Sequence, residues 1–400
     1  MRCVKRSSVG LAMVAVLALG MAPRANAEIG FEVGPLTVGG AMRVNYVIAD
    51  QDAPEDGSLG RGSSEGNFEL DTFRINLGLS HEGVIGAAEY RWYDGYSFVH
   101  TGWLGYEDPE LGRVEVGINR VPFGVGPFGP ANSFFFDQHY YVGLADQMKV
   151  GLKYSRTAGP LAFDLAYYPI DVPNGRGISD DSMRYSYTVV PEDAGGIPGV
   201  YEERHQVNAR LIYTIEELNT ALGISGKYSQ LNAQDDRASN SDAYAVSLHS
   251  STTYNGWNLM LQLSAYRFDA DYRADEEGVQ PTNDLIVMGA FGFPFPVASE
   301  GLIPSVALSY TITPETDLVD SITFYNDYSI IVKDGEENGQ SFRDSQLNVT
   351  GMAIAKGGWY IYTDYALSDG NYFVGPGGDF GSNQNNDWQY RFNINFGYYF

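Results

Sequence analysis

Hydrophobic and polar residues alternate along most of this chain with a period of two. The last segment is the longest example: in residues 388–400 every second position is aromatic or isoleucine, and Gln, Arg, Asn, Asn, Gly and Tyr lie between them. The same pattern occurs in residues 73–79, 114–119, 148–155, 207–213 and 259–265. Successive side chains of a β-strand point to opposite faces, so the pattern predicts strands with one apolar and one polar face.

The connections between these segments alternate between short and long. The short ones are residues 81–83, 108–112, 157–160, 216–219, 255–256 and 356–358. The long ones are residues 50–67, 122–146, 170–203, 231–241, 270–302, 333–342 and 370–386. This plan, with an apolar outer face and a polar inner face, is typical of membrane barrels. We therefore expect an all-β fold: one transmembrane antiparallel β-barrel with short periplasmic turns and long extracellular loops.

The strand count follows from parity, because both chain ends are expected on the periplasmic side. A direct tally gives an odd number if residues 284–293 form a wall strand of their own. If residues 284–302 instead belong to one long extracellular loop, every later turn lies on its expected side of the membrane. The prediction is then about 16 strands, with about 14 or 18 left open.

The N-terminal segment has the layout of a secretory signal peptide. Arg2, Lys5 and Arg6 form a basic head, residues 9–22 are mostly apolar, and Ala25-Asn26-Ala27 supplies small residues for cleavage. The apolar run is shorter than the roughly 18 residues that a membrane-spanning helix needs. We expect residues 1–27 to be a cleaved leader and residues 28–400 to form the barrel domain.

Composition narrows the class of protein further. The chain holds 25 Lys and Arg against 50 Asp and Glu; four of the basic residues and none of the acidic ones lie in the leader, which leaves 21 against 50, or −29. Such acidity argues against nucleic-acid binding. A mean hydropathy of −0.22 is too polar for a helical membrane protein, whereas 29 Tyr and 21 Phe suit the aromatic girdles of a barrel. The single cysteine, Cys3, leaves with the leader, so no disulfide is expected.

Several segments resemble the bacterial outer-membrane porins. Residues 113–124 end a strand and open a long loop rich in Gly, Pro and aromatic residues, which runs through 132–139. This succession resembles the general porins and the phosphate-selective porin O and P relatives, and so do residues 321–328 and 358–362. A last strand ending in Phe400 resembles the assembly signal of outer-membrane barrels. The resemblance implies a location in the bacterial outer membrane, a homotrimer, and a third long loop folded into the barrel.

The strand phases predict which charged side chains face the lumen. The pore-lining candidates are Arg43, Arg74, Arg91, Lys153, Arg210, Arg391, Glu89 and Glu115. The candidates on the constriction loop are Phe134, Phe135, Phe136, Asp137 and Asp146. Charged residues inside a water-filled pore set its field, and loop acids opposite wall arginines would give a transverse field. In the alternative interpretation the arginines pair with interior acids and brace the wall.

The predicted function is a water-filled channel for passive diffusion of small polar solutes and ions, with a weak cation preference set by the acidic loops. Two alternatives stay open: a phosphate- or anion-selective porin, and a non-conducting barrel that serves as a structural or adhesive surface protein. The five histidines lie in separate turns and strands without metal-ligand spacing, so neither an enzyme, a metal site nor a cofactor is predicted. The expected partners are outer-membrane lipids and lipopolysaccharide.

Overall fold

Sixteen antiparallel strands form one closed barrel. The structure, a computed structural model, describes residues 31–50, 66–171, 184–274, 278, 280–375, 377–385 and 387–400; the predicted leader lies outside them. The wall strands are β1 Leu36–Ala49, β2 Asn67–His81, β3 Val84–Trp92, β4 Ser97–Asp108, β5 Gly112–Arg120, β6 Met148–Ala158, β7 Leu161–Ile170, β8 Tyr201–Ile215, β9 Thr220–Ala233, β10 Ser241–Tyr254, β11 Trp257–Phe268, β12 Glu300–Ile312, β13 Ser321–Asp334, β14 Ser345–Lys356, β15 Trp359–Asp369 and β16 Trp388–Tyr399. The predicted fold class and strand count are confirmed.

The barrel closes between its first and last strands. Strand β1 pairs antiparallel with β16 from Ala41 opposite Tyr399 to Ala49 opposite Arg391. Beyond this ladder, the Gly40 amide donates to the Phe400 carbonyl (2.7 Å), and the Phe400 amide donates to the Gly40 carbonyl (3.0 Å). Each wall strand therefore has two hydrogen-bonded neighbours, and the wall has no open edge.

The two faces of the wall differ as the alternation predicts. Leu104, Val116 and Leu248 are more than half exposed on the outside, at 62%, 57% and 57%. Asn119 and Asn208 point inward and are fully buried. An apolar exterior around a polar interior is the arrangement of barrels that span membranes. None of the helices in the described part of the chain is long and apolar enough to cross a membrane.

Tight turns join the strands at one end of the barrel, here called the turn end. Glu82-Gly83 and Asn255-Gly256 each connect two strands directly, and all four residues have positive φ values between 46° and 85°. Two successive left-handed residues form the type I′ turn, whose twist matches that of the flanking strands. Glycine at the second position suits this backbone, because it has no Cβ to clash.

The opposite, loop end carries the long connections, numbered here in chain order. Loop 3 spans residues 121–147 and contains the short helix α1 Gln138–Tyr141, and loop 5 spans 234–240. The described residues of loop 4 are 171 and 184–200, those of loop 6 are 269–274, 278 and 280–299, and those of loop 8 are 370–375, 377–385 and 387. The remaining elements are short: strands Phe31–Val33, Thr188–Val189, Leu285–Ala290, Phe293–Ala298, Glu336–Glu337 and Gln340–Ser341, and 3-10 turns Glu216–Leu218 and Gly377–Phe380.

Residues 284–293 do not form a wall strand, as predicted. Leu285–Ala290 pairs with Phe293–Ala298 and with the short strand Thr188–Val189 in a separate three-stranded sheet. This extracellular loop ends before the expected residue 302, because wall strand β12 begins at Glu300. Most of the hairpin is also buried: Ile286 and Phe295 are 0% and 2% exposed and share a core with the inner-wall residue Ile331. Loop 6 therefore packs inside the loop end of the barrel, which explains its apolar sequence.

Candidate functional site

Loop 3 crosses the lumen and is fixed to the far wall by hydrogen bonds. The Val125 amide donates to Gln262 Oε1 on β11 (2.8 Å), and the Gln138 amide donates to Ser329 Oγ on β13 (3.0 Å). Polar wall residues that face the lumen thus satisfy backbone groups that loop 3 would otherwise bury without partners. The loop divides the interior into a packed side and an open side.

Two inward carboxylates hold the centre of loop 3. Asp327 on β13 accepts hydrogen bonds from the Asn132 amide, the Asn132 side chain and the Ser133 amide, each at 2.8 Å. Asp364 on β15 accepts one from the Phe134 amide at 3.0 Å. Charge-assisted bonds to backbone N–H groups are stronger than neutral ones, so these two residues fix the height of the loop in the barrel.

The sequence-predicted constriction residues fall on different sides of loop 3. Phe134, Phe136 and Asp146 line the open side. Asp137 does not: it is 1% exposed, and its Oδ2 lies 2.5 Å from His139 Nδ1 and accepts a 2.8 Å hydrogen bond from Ser305. The expected contribution of Asp137 to a transverse field is therefore corrected, because its carboxylate faces the packed side.

Phe135 also differs from the expectation. Its side chain is 1% exposed and belongs to the hydrophobic core that loops 3, 4, 6 and 8 form inside the barrel. Of the three consecutive phenylalanines, the outer two line the lumen and the middle one anchors the loop. The backbone of Phe136 has a positive φ of 61°, which is rare for a bulky residue and turns its ring onto Tyr140 at 4.3 Å.

A cavity of about 500 Å³ remains on the open side of loop 3. At the turn end it reaches Tyr360, whose neighbour Trp359 begins β15. At the loop end it reaches Tyr93 and Tyr96, the first and last residues of the short connection between β3 and β4. The cavity therefore follows most of the height of the wall.

Nine charged side chains line this cavity in the described part of the chain: Arg43, Arg74, Arg91, Arg120, Arg391, Glu69, Asp71, Glu89 and Asp146. The five arginines come from five neighbouring or nearby strands, β1, β2, β3, β5 and β16. Four of these arginines and Glu89 are sequence-predicted pore-lining residues; Arg120, Glu69 and Asp71 are not. We call Arg43, Arg74, Arg91, Arg120 and Arg391 the arginine ladder.

Most members of the arginine ladder have a carboxylate partner. Arg43 Nε lies 2.6 Å from Asp71, Arg120 Nε 2.8 Å from Asp146, and Arg391 Nη2 3.9 Å from Glu69. Glu89 contacts Arg91 closely and lies 3.8 Å from Arg74 Nη1. The ladder is thus neutralised in part by Glu69, Asp71 and Glu89 on the wall itself and by Asp146 on loop 3.

Aromatic rings from the loops cover the arginine planes. The guanidinium carbon of Arg391 lies 4.2 Å from the ring centre of Phe373, that of Arg91 4.7 Å from Tyr185, and that of Arg120 4.8 Å from Phe128. Stacking of this kind stabilises a cation and leaves the in-plane N–H groups of the guanidinium clear of the ring, so that they can still bond to their carboxylate partners. These rings lie in loops whose sequence shows no strand pattern, so strand phase alone does not reveal them.

Asp146 joins loop 3 to loop 4 at the edge of the cavity. Its Oδ1 accepts a hydrogen bond from Arg120 (2.8 Å) and its Oδ2 accepts one from the Tyr185 hydroxyl (2.5 Å). Burial and the nearby carboxylate raise the pKa of Tyr185 well above its ordinary value, so the phenol keeps its proton and acts as a donor. Arg120 itself ends strand β5, the strand from which loop 3 departs.

Three predicted lining residues lie away from the described cavity. Lys153 pairs with Glu115 (2.9 Å), and Arg210 pairs with Asp164 (2.8 Å). Arg210 also donates to the carbonyls of Gly124 and Gly126, near the start of loop 3. For Lys153, Glu115 and Arg210 the wall-bracing alternative describes the structure.

No group of three or more His, Cys, Asp and Glu side chains is arranged to hold a metal ion within the described ranges. His100 and His139 are buried and bond to protein groups: His100 Nδ1 lies 2.8 Å from Thr101 Oγ1, and His139 Nε2 lies 2.8 Å from Ser264 Oγ. Both histidines therefore help to position wall and loop.

A closed 16-stranded antiparallel barrel whose third long loop crosses the lumen has the architecture of outer-membrane porins. No protein-family model matches the sequence, and no curated protein matches it. Solved structures match the fold. They include an outer membrane protein of Vibrio cholerae, OmpT, in its trimer form (14% identity, 92% of this chain, 100% of that chain, TM-score 0.56). Another is the outer membrane channel DcaP of Acinetobacter baumannii (12% identity, 93% of this chain, 99% of that chain, TM-score 0.58). A third is an anion-selective porin from Comamonas acidovorans (11% identity, 91% of this chain, 99% of that chain, TM-score 0.57). The barrel is similar to porins in fold, at low sequence identity.

Proposed function

We propose that this protein is a porin of a bacterial outer membrane, which lets small polar solutes diffuse passively through its lumen. The observation that carries the proposal is the charged cavity, which follows the wall from Tyr360 near the turn end to Tyr96 at the loop end. A structural or adhesive barrel has no need for a ladder of inward arginines along an open path.

Loop residues fill part of the lumen at the loop end. Loops 4, 6 and 8 share a hydrophobic core with loop 3 inside the loop end. Solutes must therefore pass beside the arginine ladder rather than through a wide vestibule. This favours a channel that discriminates among solutes over a broad, non-specific one.

The ion preference is set by two opposing charge distributions. The sequence predicts weak cation preference from the acidic loops, and that stays a prediction. Exposed loop charges are screened beyond roughly 8 Å at physiological salt, however, whereas an ion in the cavity meets the lining groups directly. Five arginines against four carboxylates line the described cavity, a local excess of one positive charge. This observation favours the anion-preferring alternative, without the uninterrupted row of basic groups that a phosphate pathway needs.

Current recording in a planar bilayer under a KCl gradient tests both the porin function and the anion preference. We expect conductance steps and a reversal potential whose sign indicates anion preference. In Arg74→Glu the reversal potential should shift towards the value for cation preference. A cation-selective reversal potential that Arg74→Glu leaves unchanged would refute the anion preference. Absence of any conductance from correctly folded protein would refute the porin proposal.

We also propose a homotrimer and a cleaved leader at residues 1–27. The trimer is supported by the fold similarity to an outer membrane protein solved in a trimer form. It is also supported by closed cyclic symmetry as the common way for identical subunits to associate. The leader is supported by its basic head and short apolar run, and N-terminal sequencing of the mature protein tests it.

A further inference from the structure

The charge of the arginine ladder is not evenly compensated. Arg43, Arg120 and Arg391 each have a carboxylate of their own, at 2.6, 2.8 and 3.9 Å. Arg74 and Arg91 share the single carboxylate of Glu89, and Arg91 is the closer of the two. The surplus positive charge of the cavity therefore lies at Arg74.

Arg74 has unused hydrogen-bonding capacity. Its Nε is buried and has no hydrogen-bond partner among the described residues, and its side chain is 19% exposed towards the cavity. Its guanidinium carbon lies 5.4 Å from the ring centre of Tyr399, so one face of the group is covered by an aromatic ring. A planar, fork-shaped donor in this state is suited to a carboxylate, which accepts two parallel hydrogen bonds.

An aromatic cluster adjoins Arg74. Tyr360 and Tyr362 lie 4.8 Å apart, and Phe134 and Tyr399 pack against the same cluster. Phe134 also lies under Arg43, with 5.9 Å between guanidinium carbon and ring centre. All four rings line the cavity. A flat apolar body can stack or meet ring edges here, which an ion such as chloride or phosphate cannot do.

We propose that this cavity binds a small aromatic monocarboxylate, with the carboxylate on Arg74 and the ring against Tyr399, Tyr360 and Phe134. The single surplus charge suits a monoanion, because a dianion would also meet the nearby Glu89 and Asp71. The proposal rests on the proposed porin function and names the class of solute that the pore prefers. Transfer needs no chemistry: the solute exchanges water for the arginine fork and the rings, and leaves down its gradient.

Single-channel recording with benzoate, acetate and benzylamine tests this. Benzoate should interrupt the KCl current at a concentration roughly tenfold lower than acetate, because only benzoate gains ring contacts, and benzylamine should not interrupt it. Arg74→Gln should raise the half-blocking benzoate concentration roughly tenfold. Arg156→Gln, an exposed arginine at the turn end that does not line the cavity, is the matched control and should leave it unchanged. Phe134→Leu should raise the half-blocking concentration of benzoate to that of acetate.

The outcomes separate the two proposals. A folded barrel without KCl conductance would refute the porin function. Normal conductance with equal block by benzoate and acetate, with block by benzylamine, or with unchanged block in Arg74→Gln would overturn the aromatic-carboxylate site alone. If Arg74→Gln does not fold, judged by heat-dependent gel mobility, Arg74→Lys replaces it. Lysine keeps the charge but loses the fork, so weaker benzoate block is expected and unchanged block would overturn the site.

Discussion

Asn326 donates a 2.8 Å hydrogen bond to the hydroxyl of Thr350 on the outer face of the wall, midway along strands β13 and β14. Asn348 exchanges amide hydrogen bonds with Asn326 at 3.2 and 3.3 Å, and Gln346 accepts one from the Tyr328 hydroxyl at 2.8 Å. The outer faces of other strands at comparable height carry leucine, valine and aromatic residues, as at Leu248 and Leu261. Polar side chains on a membrane-facing wall are costly unless another protein covers them.

We therefore predict that this polar face lies in a contact between subunits. Replacing Asn326 with Leu and Thr350 with Val should lower the temperature at which the oligomer dissociates in mild detergent, because the polar groups that would hydrogen-bond across the contact are removed. Phe324→Leu on the same outer face is the control and should change it little. An oligomer of unchanged thermal stability in the double variant would place the contact elsewhere.

Releasing loop 3 should enlarge the pore. Asp327→Ala removes three hydrogen bonds to Asn132 and Ser133, and the buried donors left behind should weaken the attachment of the loop by about 3 kcal/mol. We expect higher single-channel conductance with more current noise. Asp334→Ala, at the exposed loop end of the same strand, should conduct like the parent. Equal conductance in both variants would contradict a constricting role for loop 3.

A buried ionic cluster should contribute strongly to the stability of the barrel. Glu203 on β8 is fully buried between Lys149 (2.8 Å) and Lys227 (2.7 Å). Glu203→Ala leaves two buried ammonium groups without this partner and should lower the free energy of unfolding by about 3–5 kcal/mol. Urea titration followed by gel mobility measures it. The neighbouring Glu202→Ala, which removes a rim pair with Arg204, should cost less than about 1 kcal/mol; equal losses in the two variants would contradict a special role for the buried cluster.

Acid should loosen the contact between loops 4 and 5. Arg237 on loop 5 binds Asp193 on loop 4 (3.0 Å) and Asp235 (2.9 Å). Partial burial opposes the charge of Asp193, but hydrogen bonds from Arg237 and Gly199 outweigh it and lower its pKa below the usual 3.8; the Arg237 bond likewise lowers the pKa of Asp235. The contact is therefore complete above about pH 4 and is lost as the pH falls through the lowered pKa values.

Hydrogen exchange of residues 184–200 at neutral pH and at about pH 2.5 measures this change. The groups are largely exposed, so the effect should stay below about 1 kcal/mol. Arg237→Gln should give low protection factors, relative to the intrinsic exchange rate at each pH, at both pH values. Protection that stays the same in acid would show that other contacts hold loop 4.

Much of the wall could be predicted from the sequence, because strand alternation records which side chain meets lipid and which meets the lumen. Arg43, Arg74, Arg91 and Arg391 lie on the expected phase for that reason. The apolar segment 284–293 shows where strand alternation does not suffice. A buried hairpin and a wall strand both need apolar residues, and only the even strand count distinguishes them.

The loops could not be predicted in the same detail. Whether Asp137 or Asp146 faces the cavity depends on how loop 3 folds, and no strand phase applies there. Asp327 and Asp364 could have been found as loop anchors, since both are acids at inward positions of late strands. Their partners are backbone amides, however, which any loop sequence offers.

The pairing of β1 with β16 also constrains how the molecule is made. The two strands lie at opposite ends of the described chain, so β1 keeps an unpaired edge until β16 reaches it. Contacts this distant in sequence form late and slowly, because chain entropy must be lost before they form. During that time the edges of β1 and of the growing sheet can pair with other chains. Correct assembly therefore depends on keeping immature chains apart until the ring is complete.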